Sequence, residues 1–233
     1  MNQPDGGYRV AIDAVLLAAA TAALAGEFVL DLGTGVGASA LCLAVRVAGV
    51  RVVGLEIQPE LARLAAGNIA ANGLAELVSV VVGDLRHPPL MPQSFHRVMI
   101  NPPYLRAGAH TPSADPSRAI ANGEGQTGLA AWLAAAARLL RPRGTVTVIH
   151  RADRMDEVLA LMTARFGAIA LFPLWPQAGA AAKRILVSGR LASGRTGAVS
   201  PARLASGLVL HDADGRFTAK AEAILRDGFG LEL

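Results

Sequence analysis

Two short runs and two further acids carry residue types able to do chemistry. The first run is Asp31-Leu32-Gly33-Thr34-Gly35-Val36-Gly37; the acids are Glu56, followed by Ile57, and Asp84, which lies between Gly83 and Leu85. Glycines at alternate positions let a backbone turn tightly and lie close to a ligand at the start of a helix. Gly33-x-Gly35-x-x-Ala38 also meets the dinucleotide fingerprint, whose last place accepts alanine. Glu56 can bond both hydroxyls of a ribose in either case. Asp31 shifts the balance, because a pyrophosphate would meet its negative charge. A cofactor with an ammonium and a sulfonium, and no phosphate, suits that acid. Gly83-Asp84 adds a polar edge for an adenine ring.

The second run is Asn101-Pro102-Pro103-Tyr104. An exocyclic amine on an aromatic base is a poor nucleophile, since its lone pair is delocalised into the ring. The Asn101 side-chain oxygen and the Pro102 carbonyl can accept its two N–H bonds and draw the nitrogen toward tetrahedral geometry. The prolines fix the backbone that presents these acceptors. Tyr104 offers a face for stacking a splayed-out base, a contact worth about 1–3 kcal/mol. Transfer of a methyl group then depends chiefly on positioning.

The elements that must hold these residues follow from pattern. Val29 to Asp31 reads as a strand, Ala38 to Ala48 as a helix, and Arg51 to Glu56 as the next strand. Pro59 opens a helix through Ala71, and Leu77 to Val82 and Phe95 to Ile100 are strands. Leu129 to Leu140 is a helix stopped by Pro142 and Gly144, Thr145 to His150 a strand, and Asp153 to Phe166 a helix. Ile169 to Leu174 and Arg184 to Val187 suggest an antiparallel hairpin, and Ser188 to Ser206 an exposed loop. Leu208 to His211, a turn at Asp214-Gly215 and a helix from Thr218 to Arg226 follow. Alternating strands and helices imply an α/β fold with a doubly wound parallel sheet.

The two runs with their acids resemble the class I S-adenosylmethionine-dependent methyltransferases that modify planar amine or amide nitrogens. The resemblance implies a Rossmann-like, seven-stranded, mostly parallel sheet with helices on both faces and an antiparallel last strand. Asp31, Gly33, Thr34, Gly35, Gly37, Glu56, Ile57, Asp84, Leu85 and Asn101 would hold S-adenosylmethionine. Asn101, Pro102, Pro103 and Tyr104 would be catalytic. NPPY is shared by enzymes acting on adenine-N(6), on guanine-N(2) and on protein glutamine, so it leaves the acceptor open. A nicotinamide-dependent dehydrogenase or an inert nucleotide-binding module is the reading from another class.

The ends of the chain are more selective. Residues 3–19 (QPDGGYRVAIDAVLLAA), 182–190 (AKRILVSGR) and 208–225 (LVLHDADGRFTAKAEAIL) resemble bacterial tRNA methyltransferases acting on adenine 37 of a valine tRNA. By that resemblance residues 1–27 cover the cofactor, with Tyr8, Arg9 and Asp13 as candidates and Arg9 pairing with the cofactor carboxylate. Residues 105–127, too long for an ordinary connection, form a substrate loop, and 188–233 a basic extension of a single domain over 1–233. Only 30 residues precede Asp31, too few for a helical substrate-binding domain.

Composition sets the remaining limits. The 233 residues carry a net charge of +4, 52% apolar and 17% charged side chains, which excludes a disordered chain. Ala14 to Gly26 is shorter than the roughly 20 apolar residues of a membrane span. Residues 9–25 imitate a signal peptide, but Asp13 interrupts the run. The single Cys42 fits a reducing cytoplasm. Residues 1–137 hold 8 basic and 10 acidic side chains, whereas 138–233 hold 14 and 8. Lys183, Arg184, Arg190, Arg195, Arg203, Arg216 and Lys220 therefore make a candidate phosphate-contacting surface, with Lys183, Arg184, Arg190 and Lys220 foremost. No metal site, no membrane contact and a monomer are expected.

Overall fold

The structure is a computed structural model and describes residues 1–3, 11–103, 128–192 and 201–233. In chain order it holds α1 (Ile12–Ala20), β1 (Phe28–Leu32), α2 (Ala38–Arg46), β2 (Arg51–Glu56), α3 (Pro59–Ala71), β3 (Val78–Val82) and β4 (Phe95–Ile100). Then come α4 (Leu129–Leu139), β5 (Leu140–Arg151), a 3-10 turn (Ala152–Arg154), α5 (Met155–Thr163), β6 (Phe166–Gln177) and β7 (Arg184–Leu191). Finally β8 (Arg203–Leu204), β9 (Leu208–His211) and α6 (Ala219–Leu225) complete the described chain.

One sheet runs in the order β3-β2-β1-β4-β5-β7-β6-β8, with β9 also beside β6. β1 to β5 are parallel, and β7 is antiparallel to both β5 and β6. The ends where β1, β2, β4 and β5 finish form the carboxyl edge, and the ends where they start form the amino edge. Strand order reverses between β1 and β4, the place where open α/β sheets bind ligands at their carboxyl edge.

Alternation along the strands builds two cores. Met99 of β4, Ile149 of β5 and Leu186 of β7 enter one, beneath α1, α2 and α6. Val98, Ile100, Val148, Ile185 and Val187 enter the other, beneath α4 and α5. In α4 the buried Leu129, Trp132, Leu133, Ala136 and Leu139 follow helical spacing and face that second core.

Four expectations need correction. The sheet has nine strands rather than seven, because β8 and β9 both add to the outer side of β6. Ser188 to Leu191 continues β7 and Arg203–Leu204 forms β8, both within the stretch Ser188 to Ser206 expected as a loop. The helix expected to run to Phe166 ends at Thr163, since Phe166 is buried at the start of β6. β5 begins at Leu140 rather than Thr145: a register shift lets Arg141 to Gly144 bulge between the Phe95–Leu140 and Arg97–Thr145 pairs. No helix among the described residues is long and apolar enough to cross a membrane.

Candidate active site

β1 and β4 bring the two chemical runs side by side. Asp31 pairs with Met99 and Leu32 with Ile100, so Gly33 and Asn101 leave adjacent strands at the same level. On the other flank of β1, Asp31 pairs with Gly54 and Leu32 with Leu55, which places Glu56 next to the glycine turn.

The turn is held by backbone bonds. Gly33 and Thr34 both donate their N–H to the Leu55 carbonyl, at 2.8 and 3.0 Å. Gly33, Gly35 and Gly37 sit at φ +75°, +58° and +87°, the left-handed region that glycine alone enters freely. The Thr34 hydroxyl donates to Asp31 at 2.7 Å. Glu56 accepts from Gly35 N–H at 2.8 Å and from Gln58 N–H at 2.9 Å, one on each carboxylate oxygen.

Packing closes the turn on two sides and leaves a third approachable. A Cβ on Gly54 would fall 2.6 Å from Thr34 Cγ2. The indole of Trp132 closes the Gly33 side. A Cβ on Gly35 would meet nothing within 4 Å, so a ligand can come close to the backbone there. Ile57 and Val82 are apolar yet 53% and 49% exposed, and Glu56 is in register with Val82. Two exposed aliphatic side chains beside a carboxylate suit a flat heterocycle.

The acids differ in electrostatic state. Burial pushes the Asp31 carboxyl up to about 6; Thr34 and a backbone bond from Ala40 oppose this, and the nearby Glu56 adds to it. Burial also raises Glu56, against the backbone N–H groups of Gln58, Gly35 and Ile57. Asp84 is different. Arg86 binds it through the guanidinium at 2.6 and 2.9 Å and holds it below the usual carboxylate range. Leu85 is partly buried against the second core.

Beyond β4, Asn101 and Pro103 are half-buried and Pro102 is buried. Tyr104, Tyr8, Arg9, Arg195 and the loop at 105–127 lie outside the described residues. Of residues 1–27, Ile12–Ala20 form α1, a helix of the first core. Asp13, at its start, is buried and accepts from Arg184 at 3.0 Å. His150 at the end of β5 is fully buried, which drives its imidazole down to about 4 with Arg154 contributing. Arg154 binds Glu157 at 2.6 Å.

The basic residues do not form one surface. β5 and β7 pair from Thr145–Arg190 to Arg151–Arg184, so Lys183 and Arg184 stand at the carboxyl edge and Arg190 at the amino edge. Arg184 is partnered by Asp13, while Lys183 and Lys220 are exposed. Arg203 donates to the Leu233 carbonyl instead of standing free.

Sequence reading overlooked Trp132, Gly54, Val82 and the Asp13–Arg184 pair. Gly54 carried a signal, since a glycine inside a strand marks a close approach. Trp132 lies far in sequence from Gly33 and carried none; Asp13 and Arg184 were each singled out, but nothing in the sequence joins two residues 171 positions apart.

Residues 29–144 match the methyltransferase domain family. A tRNA1(Val) (adenine(37)-N6)-methyltransferase of Porphyromonas gingivalis is 30% identical over 227 residues, covering 94% of this chain and 87% of the relative. The enzyme of that name from Aeromonas hydrophila is 32% identical over 213 residues, covering 90% and 85%. A protein of Agrobacterium tumefaciens described as a predicted O-methyltransferase shares the fold, with a TM-score of 0.75, 24% identity, and 95% and 99% coverage.

Proposed function

The chain belongs to the family of the tRNA1(Val) (adenine(37)-N6)-methyltransferases, and from that premise we propose that it methylates the exocyclic 6-amino group of adenine 37 in a tRNA, with S-adenosylmethionine as cofactor. The observation that carries the reading is the register of β1 and β4, which sets the glycine turn with Asp31 beside Asn101 and Pro102. A cofactor held at the turn and a base held at Asn101 are thereby neighbours.

The residues fit the cofactor. Its cationic ammonium suits Asp31, a buried acid already oriented by Thr34. Glu56 retains acceptor capacity on both oxygens for ribose hydroxyls. Ile57 and Val82 flank the adenine, with Asp84 and Leu85 at its edge. When bound, S-adenosylmethionine supplies an electrophilic sulfonium methyl.

This chain's own part is to bind and orient. The Asn101 side-chain oxygen and the Pro102 carbonyl accept the two amine N–H groups and turn the nitrogen lone pair out of the ring. Pro102 and Pro103 hold those acceptors in place, and Tyr104 stacks on the base. The nitrogen becomes cationic as it is alkylated, so its proton is acidic and leaves without a dedicated strong base. The N-terminal residues Tyr8 and Arg9 belong to the cofactor side, and Lys183 and Lys220 to the RNA side of the carboxyl edge. The enzyme works as a cytoplasmic monomer.

The test is a valine tRNA transcript and its variant with guanine at position 37. Methyl transfer to the first and none to the second supports the reading. Equal transfer to both defeats it.

A further inference from the structure

The charges on the two edges of the sheet are arranged differently. Among the described residues, arginines of the carboxyl edge are partnered: Arg63 by Glu60, Arg86 by Asp84, Arg151 by Asp153, Arg184 by Asp13 and Arg216 by Asp214. At the amino edge Arg97 is occupied by Glu27 and by the Thr145 hydroxyl. Arg138, Arg143, Arg165 and Arg190 there have no carboxylate partner among the described residues.

These four come from separate elements that the fold brings into one row. Gln93 and Ser94 donate to the carbonyls of Arg138 and Leu139, which sets the end of α4 against the start of β4. Arg143 lies in the bulge of β5, two residues before Thr145, at φ +66°. Thr145 is in register with Arg190 on β7, and Arg190 with Gly167 on β6. Ala192 donates to the Arg165 carbonyl at 3.3 Å, so Arg165 closes the row. Neighbouring strands are about 4.8 Å apart, so the row crosses β4, β5, β7 and β6 within the reach of one polyanion backbone.

We propose that this amino-edge row, Arg138, Arg143, Arg165 and Arg190, is a docking surface for RNA phosphates away from the methylated base. The inference rests on the tRNA reading above and extends it. From Thr145 to Arg151 β5 rises about 20 Å at roughly 3.3 Å per residue, so the row and the catalytic edge meet different parts of one RNA. Unpartnered guanidinium groups lose no internal ion pair when they bind, unlike those of the carboxyl edge. Guanidinium forks also match phosphate geometry.

The experiment compares wild type with R138Q/R143Q/R165Q/R190Q and with the charge-preserving R138K/R143K/R165K/R190K. Binding of full-length valine tRNA and of its isolated anticodon stem-loop is followed by fluorescence anisotropy over a salt series. The glutamine variant should lose about 10- to 100-fold in affinity for the full-length tRNA. Its slope of log affinity against log salt should fall by about 3, near 0.7–0.9 per lost phosphate contact. Stem-loop affinity and S-adenosylhomocysteine binding should not change, and the lysine variant should recover most of the loss. Unchanged affinity and slope in the glutamine variant would overturn the surface while leaving methyl transfer standing. A lysine variant as weak as the glutamine one would also overturn it. A wild type without affinity for tRNA would overturn both readings.

Discussion

The six-membered ring of Trp132 occupies the side of Gly33 where any other residue would carry a side chain. A Cβ at that position would lie 2.4 Å from Cη2 and 2.7 Å from Cζ3 of the indole. Trp132 is buried in α4, and Gly33 sits at φ +75°, so both packing and backbone exclude substitution. Gly33→Ala should destabilise the fold by about 2–5 kcal/mol, from roughly 1–2 for the left-handed backbone and 1–3 for overpacking. Trp132→Phe removes the offending ring, so the double variant should be less destabilised than the sum of the single ones. Urea melts of the four proteins check this, and strict additivity would remove the contact from the account.

Asp31 should trade stability for ligand binding. Burial pushes its folded carboxyl up to about 6 from the ordinary 3.8, so between those values the folded state binds more protons than the unfolded one. The cost of ionising it is therefore absent below pH 3.8 and complete above about 6, on the order of 3 kcal/mol by linkage. Asp31→Asn should match wild type in melts near pH 4 and exceed it progressively up to pH 7.

The same titration should govern the cofactor. Wild-type affinity for S-adenosylhomocysteine, which carries the ammonium, should rise about tenfold from pH 5 to 7 and then level off. Asp31→Asn should bind weakly with no such rise. Calorimetry at several pH values measures both, and a flat wild-type profile would detach Asp31 from the ammonium.

The Asp13–Arg184 pair joins α1 to β7 across 171 residues of sequence. Asp13 has a nearly buried side chain while Arg184 is a third exposed, so solvent screens part of the attraction. Arg184→Ala should cost about 1–2 kcal/mol, the size of a hydrogen bond to a charged group. A double-mutant cycle with Asp13→Asn should return a coupling of comparable size. Zero coupling would mean that the pair does not hold the two elements together.

Much of this architecture was legible because local pattern and tertiary need agree. Arg51–Glu56 and Phe95–Ile100 are short apolar strands bounded by turn residues, and both have the limits read from sequence. The same agreement set the glycine turn and Asn101 at strand ends. Legibility failed where a distant partner decides. Phe166 is helix-compatible but is drawn into β6 by pairing with Leu191, and Leu140 enters β5 because Phe95 pairs with it. Arg190 resembled Lys183 and Arg184 in sequence, and only the antiparallel run of β7 sends it to the other edge.

Asn101→Ala separates catalysis from cofactor binding. Loss of one preorganised acceptor should lower turnover by about 10²–10³, with S-adenosylhomocysteine affinity within roughly twofold of wild type, because the proposed cofactor contacts of Asp31 and Glu56 are left intact. Single-turnover transfer and calorimetry together check it. Unchanged turnover would remove Asn101 from the site.

The most direct measurement is nucleoside mass analysis of unmodified valine tRNA after incubation with the enzyme and isotopically labelled S-adenosylmethionine. The account predicts label in N(6)-methyladenosine, mapping to adenine 37. Label in N(2)-methylguanosine, or in protein glutamine with the RNA unlabelled, would contradict it.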